Sequence, residues 1–400
     1  MSAGVPGPLR LASAGVGVVG VCFGMAIYGY GLLLPDIRRD YGLSTGALGA
    51  IGTGAFAAYL AATALTGAFT VRVGARRTAV AAALLAALGM TVAGLSRTPA
   101  TFVVGILVAG ASAGLAFAPF ADAARAVPAA ARGRVLAAVN CGTGYGVALA
   151  APIAILAGAA WRSAWLAFAV VAVLAALWAA HVLPGRTDAV AGGEVPAYGW
   201  SAVLCPRAVP LLIGGVLVGL GSSAYWTFAV EHLTDAGALP SAASRSFLGV
   251  VGVASILATV TGDLVLRTGA ARAYVATTLA LAAALALLAL APSSLTAALA
   301  SAILFGAAYN ATVGIQAIWS THIFSERPSL GISAAMSANG LGLMLGPLGA
   351  GLLAGRLGLG AVLLIGAGVV AAAGLLAPRG AILLRSNVIA TGRPAMEATD

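Results

Sequence analysis

The sequence predicts an all-α integral membrane protein: twelve transmembrane helices in two parallel six-helix repeats. Three observations predict it. Of the 400 residues, 61% are hydrophobic and 8% charged, with mean hydropathy +1.04, more apolar surface than a water-soluble chain of this size can bury. The apolar stretches reach the roughly 20 residues that cross ~30 Å of hydrocarbon as a helix. None alternates polar and apolar residues at period two, as the strands of a membrane barrel do. Finally, a shift of 195 residues lays the second half over the first without a gap. Gly67, Arg72, Gly74, Ala75 and Arg77 recur as Gly262, Arg267, Gly269, Ala270 and Arg272. The same shift pairs Asp36 with Glu231, Asp40 with Asp235, Gly42 with Gly237, Arg132 with Arg327 and Pro152 with Pro347. Charged residues are scarce in this chain, so their coincidence argues against chance.

In order, the first six segments run Leu11 to Leu34, Ala47 to Phe69, Thr78 to Leu95, Thr101 to Ala123, Val135 to Ala160 and Ala164 to Leu183. The first is too long for a signal-peptide core and no small-residue cleavage site follows it, so it is read as retained. The second six run Val209 to Val230, Ser246 to Leu266, Ala273 to Ala291, Leu295 to Ile323, Leu330 to Ala354 and Leu357 to Leu376. Between the two sets, Pro184 to Pro206 holds Arg186, Asp188, Glu194, Pro196 and Gly199 and reads as a linker. The predicted units are therefore 1–183, a linker at 184–206, a second bundle at 207–378 and a polar tail at 379–400, whose arginines suit anionic lipid.

All 21 basic residues are arginine, giving a net charge of +10. In a soluble protein that excess would suggest nucleic acid; here the arginines sit in the connections between apolar segments, and no nucleic-acid partner is expected. With the N-terminus inside, fifteen arginines fall on the inner side and six on the outer. The positive-inside rule then places both termini in the cytoplasm of a plasma (inner) membrane. Cys22, Cys141 and Cys205 are scattered, which indicates neither a disulfide framework nor a metal site.

Twelve helices in two repeats, with a Gly- and Arg-rich loop after the second helix of each, resemble the major facilitator superfamily. That family's loop signature, approximately G-x-x-x-D-R-x-G-R-R, compares with Gly67, Ala68, Phe69, Thr70, Val71, Arg72, Val73, Gly74, Ala75, Arg76, Arg77, with Val71 where the signature has Asp. In the second copy Leu266 takes that position and Asp263 lies earlier. Gly29 to Pro35, Tyr41 to Ser44 and Trp161 to Trp165 resemble the YbfB/YjiJ-type branch. The resemblance implies alternating access by rocking halves, with helices one, four, seven and ten lining a central cavity. It also implies a cytoplasmic gate at Gly67, Arg72, Gly74, Arg76 and Arg77 and at Gly262, Asp263, Arg267, Gly269 and Arg272. Asp122 and Arg125, spaced i and i+3 at the inner end of the fourth helix, read as a structural pair at the headgroup level or, alternatively, as part of that gate or a proton site. The fourth helix has Ile106 where proton-driven exporters carry arginine. Gly342, Gly346, Pro347, Ala350 and Gly351 in the eleventh approximate an exporter signature, or a small-residue seam with a proline kink.

Polar groups inside hydrocarbon must face protein or water, so their helical spacing locates a cavity. In the tenth helix Tyr309, Thr312, Gln316, Trp319 and Ser320 recur at three or four residues and share a face. Ser222, Tyr225 and Trp226 in the seventh, Tyr28 in the first and Ser112 in the fourth complete the expected substrate-binding set. Tyr59, Thr63 and Thr66 in the second helix either reach the cavity or bond to backbone carbonyls. Two soluble-enzyme fingerprints are rejected. Gly15, Gly17 and Gly20 open a transmembrane helix with no preceding strand, and Gly110, Ser112 and Gly114 lie within one with no partnering base. The expected function is secondary transport of a small neutral, weakly charged or amphipathic solute, leaning to efflux. Uptake by a permease or facilitator, and a non-transporting receptor or sensor of the same fold, are the alternatives. No enzyme activity, metal or cofactor is expected; the chain is expected to be a monomer, and coupling to a proton gradient is left open.

Overall fold

A computed structural model describes residues 7–184, 204–237, 239–325 and 328–378. Most of the expected linker, Arg327 and the tail at 379–400 lie outside the described residues. The first half is six helices: α1 (Pro8–Tyr41), α2 (Thr45–Val73), α3 (Ala75–Leu95), α4 (Pro99–Ala126), α5 (Ala129–Ala157) and α6 (Trp161–Val182). The second half is α7 (Val209–Asp235), α8 (Ala242–Thr268), α9 (Ala270–Leu290), α10 (Leu295–Ile323), α11 (Pro328–Leu357) and α12 (Leu359–Gly374). Each overlaps one of the twelve apolar segments. Eleven are long and apolar enough to cross a membrane, and α12 is a shorter apolar helix.

Local chemistry sets the boundaries. The Ser44 and Ser294 hydroxyls accept from the amides of Ala47 and Ala297, and Thr98 with Thr101 forms a reciprocal cap at α4. Pro8 and Pro99 occupy first-turn positions where no amide proton is needed. Gly74 and Gly269 turn the chain between α2 and α3 and between α8 and α9 with φ of +86° and +83°. These repeat-related glycines thus serve a backbone geometry that other residues adopt only with strain.

The repeat is visible in the packing. In the first half α1 packs on α5, α2 on α4, and α3 on α4 and α6; in the second α7 packs on α11, α8 on α10, and α9 on α10 and α12. The halves meet through α2 on α11, α5 on α8, and α1 on α7, the arrangement a two-fold axis generates. Small residues permit this proximity. A Cβ on Gly24 would strike the backbone of Gly146, and one on Gly342 the Val216 carbonyl, so α1 and α7 lie backbone to backbone on their partners.

Three helices depart from α geometry. α1 contains a π-helical segment at Gly20–Met25, α4 breaks between Gly114 and Ala118, and α8 tightens to 3-10 at Ser255–Val260. Such irregularities redirect the faces that follow them.

Candidate substrate site and its gates

The rim at which α1 ends is called distal here, and the rim at which the described chain begins proximal. Two groups of side chains join the halves, one midway along the seam and one at the distal rim.

Midway, Tyr28 of α1 stacks on Trp226 of α7 with ring centroids 4.0 Å apart and planes 27° from parallel. Trp226 meets Phe305 and Tyr309 of α10 edge-on, and those two rings stack with each other. Phe23, Phe56 and Tyr59 form the adjoining wall from α1 and α2. The Tyr309 hydroxyl donates to Asn339 Oδ1 of α11 at 3.1 Å and lies beside Tyr28 and Trp226. Among the described residues, neither Trp226 Nε1 nor Asn339 Nδ2 has a hydrogen-bond partner, although the two side chains belong to residues only 4% and 5% exposed. Just distal of the stack the backbones touch, and a Cβ on Gly31 would collide with the Trp226 carbonyl.

At the distal rim, Arg245 of α8 donates through Nη2 to Asp36 of α1 at 2.6 Å and through Nη1 to the Ala154 carbonyl of α5 at 2.9 Å. Asp36 and Arg245 are both buried. Arg38 of α1 pairs with Glu231 of α7, whose side chain is buried, and with Asp235 at 3.1 Å. Arg162 pairs with Asp40 at 2.7 Å, bonds the Ser96 carbonyl and lies over Trp161, closing the rim of the first half. Below the ion pairs, the Thr53 hydroxyl donates to the Met344 carbonyl and accepts from the Leu348 amide, pinning α2 to α11. The seam is therefore shut distally.

Of the sequence-predicted residues, Tyr28, Trp226 and Tyr309 come together at the seam. The others are satisfied inside their own half. Gln316 is 1% exposed and donates to the Tyr274 hydroxyl of α9 at 3.0 Å, and Trp319 packs edge-on to the same ring. The expectation that Gln316 faces a cavity is corrected: the pair is an interhelical bond in the proximal interior of the second half. Tyr225 stacks on Phe305 and shares a hydrogen bond with Ser301, deep between α7 and α10. Ser112, Ser222, Thr312 and Ser320 turn their hydroxyls to carbonyls of their own helices, at Ala109, Val218, Ala308 and Ala317. Thr63 and Thr66 do likewise, at Tyr59 and Ala62, with Thr66 also reaching Gly114. A shared helical face is not a shared environment, because each face is divided between seam and bundle interior. Asn339 was missed, lying alone among small residues where spacing gives no stripe.

The predicted cytoplasmic gate stands at the proximal rim. Arg72, Arg76, Arg77, Arg267 and Arg272 are exposed, and Asp122 meets Arg125 at 3.6 Å within its own segment. Among the described residues, no ion pair or hydrogen bond joins these groups across the seam, and Asp263 makes no ion pair with Arg267. The interhalf ion pairs belong instead to the distal rim, on Asp36 and Glu231, which the repeat pairs but to which no role was assigned from sequence.

Comparison with known proteins agrees with this architecture. The profile of the Major Facilitator Superfamily matches residues 16–259, and no curated protein matches the chain by sequence. A mutant form of the nucleoside transporter NupG superposes with TM-score 0.76 at 15% identity, covering 91% of this chain and 98% of its own. The xylose transporter XylE from E. coli, in a partially occluded inward open conformation, gives 0.72 at 16% identity, with 92% and 96% covered. A bacterial homologue of the human lysosomal transporter Spinster, inward-facing and occupied, gives 0.65 at 14% identity, with 92% and 93% covered. At these identities the likeness is one of fold. The chain belongs to the major facilitator superfamily and is a multi-pass membrane protein.

Proposed function

We propose that this member of the superfamily carries a small organic solute without net charge across the plasma membrane by alternating access. The observation that carries the reading is the Tyr28 and Trp226 stack, an aromatic contact between halves at mid-seam, capped on one side by buried ion pairs. Flat apolar surface beside polar tips suits a ring-bearing or amphipathic solute. From Leu11 to Leu34 α1 holds no acid or base, and α10 holds none along its seam-facing length, so a charged solute would be stranded without a partner. The nucleoside and xylose transporters of like fold are named for uncharged ring compounds, which supports the same class.

The excess of arginine at the proximal rim supports a cytoplasmic location for that rim and for both termini. On that reading the distal ion pairs are the closed outer gate. Of the two directions, export is favoured by the resemblance of Gly342, Gly346, Pro347, Ala350 and Gly351 to an exporter signature. In the structure these residues carry the close approach of α11 to α2 and α7, a seam that serves either direction. The test is a cysteine at Thr227, buried beside Gly31, in protein whose native cysteines are replaced, reconstituted in liposomes with a panel of labelled metabolites. Transport requires that one solute both crosses the membrane and accelerates alkylation of this cysteine from the outer side. No flux and invariant alkylation across the panel would overturn the reading.

A further inference from the structure

The recognition chemistry of the seam is distributed unevenly between the repeats. Trp226 of α7, Phe305 and Tyr309 of α10 and Asn339 of α11 correspond, under the 195-residue shift, to Gly31 of α1, Gly110 and Gly114 of α4 and Gly144 of α5. Every one of these bulky side chains in the second half has a glycine as its counterpart in the first. The glycines are already committed to packing. Gly31 lies on the Trp226 carbonyl, Gly110 on Ala55, Gly114 on Tyr59 and Thr63, and Gly144 on Gly252 and Ser255 of the other half. They supply close approach and no functional group. The first half contributes Tyr28, whose counterpart is Ser223, and behind it the wall of Phe23, Phe56 and Tyr59.

Two groups at this site in the second half remain unpartnered among the described residues, and both are donors. The Tyr309 proton goes to Asn339 Oδ1, while Nδ2 of Asn339 and Nε1 of Trp226, which lies beside the Tyr309 hydroxyl, meet no acceptor with hydrogen-bond geometry. A buried donor left unpaired is costly, so a site built this way favours a ligand presenting acceptor atoms and discriminates against one that lacks them.

Resting on the transport reading above, we propose that substrate recognition resides in the C-terminal half. An uncharged planar ring displaces Tyr28 from its stack on Trp226, lies on the Trp226 and Tyr309 surface backed by Phe305, and accepts hydrogen bonds from Trp226 Nε1 and Asn339 Nδ2 through carbonyl or ether oxygens. The N-terminal half is the wall that moves past a solute held by its partner.

Calorimetric titration of the full-length protein in nanodiscs tests this with uridine, thymine and caffeine, each a neutral ring with carbonyl acceptors, against uridine monophosphate and orotate as charged counterparts. At least one neutral probe should bind, and its charged counterpart should not. Trp226→Phe keeps an aromatic ring and deletes the donor; Asn339→Leu, uncharged and of similar volume, deletes the other donor together with the acceptor used by Tyr309. Each should weaken binding about tenfold, the loss of one hydrogen bond, in protein whose cooperative thermal unfolding shows that it is folded. Tyr225→Phe, which removes the buried bond to Ser301, should do the reverse, lowering stability and sparing affinity. If one donor variant fails to fold, the other decides. Native affinity in a folded donor variant, preference for a charged probe, or binding by no neutral probe would each overturn the proposal. The transport reading fails on a different result, the absence of flux and of induced alkylation at Thr227→Cys.

Discussion

Gln316 illustrates how much a single side chain's surroundings decide. Its amide donates to the Tyr274 hydroxyl, and both groups are buried between α9 and α10. Truncation therefore strips a buried partner and leaves the remaining group unpaired, at a cost of about 1–3 kcal/mol. Gln316→Ala and Tyr274→Phe should each lower the thermal stability of the detergent-solubilised protein, and solute affinity should stay near native. Because each removes the same bond, the double variant should cost less than the two singles together. Additive losses would show that the two residues do not act as a pair. The sequence made the polar stripe on the tenth helix visible by its spacing, but the stripe continues past the seam into the bundle. Tyr309 marks the seam end, whereas Gln316 and Trp319 mark the interior end. Nothing in a three- or four-residue period carries that distinction, which depends on how Tyr274 of the preceding helix packs against the stripe.

Among the elements, the helices were legible because hydropathy, caps and length agree, and the two-fold arrangement was legible from charged pairs that survive in both copies. The departures from α geometry were not. The π-helical segment Gly20–Met25 and the 3-10 segment Ser255–Val260 arise where neighbouring backbones approach closely, at Gly146 against α1 and at Gly144 against Ser255. Such approach is a property of helix pairs. Gly31 offers the sharpest test of this packing. Its missing Cβ is what lets α1 rest on the Trp226 carbonyl, and a methyl group there meets backbone, which cannot rotate aside. Gly31→Ala should therefore act as a wedge at the distal half of the seam, destabilising the distally closed state by about 1–3 kcal/mol. Spin labels on Ala100 and Ser293, at the distal ends of the two halves, should show a longer distance population in the variant than in the native background. An unchanged distance distribution would mean that the contact is absorbed within α7.

Across the whole molecule, the charges distribute into two systems with different work. The proximal arginines are exposed and spread over the helix ends, an arrangement suited to setting orientation in the bilayer. The distal charges alternate in sign across the seam, and the repeat explains their geometry: Asp36 and Glu231 are equivalent positions, each meeting an arginine of the opposite half, Arg245 and Arg38. Two equivalent acids on either side of an axis produce a lock that engages or releases as a unit, since the halves can separate distally only by breaking both pairs. Arg245 is the more constrained partner. It is buried, it bridges α8 to α1 and α5, and its removal leaves Asp36 buried with Arg39 alone, 3.6 Å away. Breaking a buried pair on one side costs about 3–5 kcal/mol, chiefly from the stranded charge. Arg245→Ala should accordingly favour the distally open state and raise the rate of alkylation at Thr227→Cys from that side by orders of magnitude. Arg72→Ala, at a rim with no described pairing across the seam, should leave that rate unchanged. Restoring charge complementarity in reverse, with Asp36→Arg and Arg245→Asp combined, should bring alkylation back toward the native rate. Loss of activity could follow from any damaged structure, but recovery by an exchanged pair requires the two side chains to meet in the closed state. Failure of the exchange to recover slow alkylation in a well-folded protein would show that the buried bond from Arg245 to the Ala154 carbonyl, and not the ion pair, holds the rim shut.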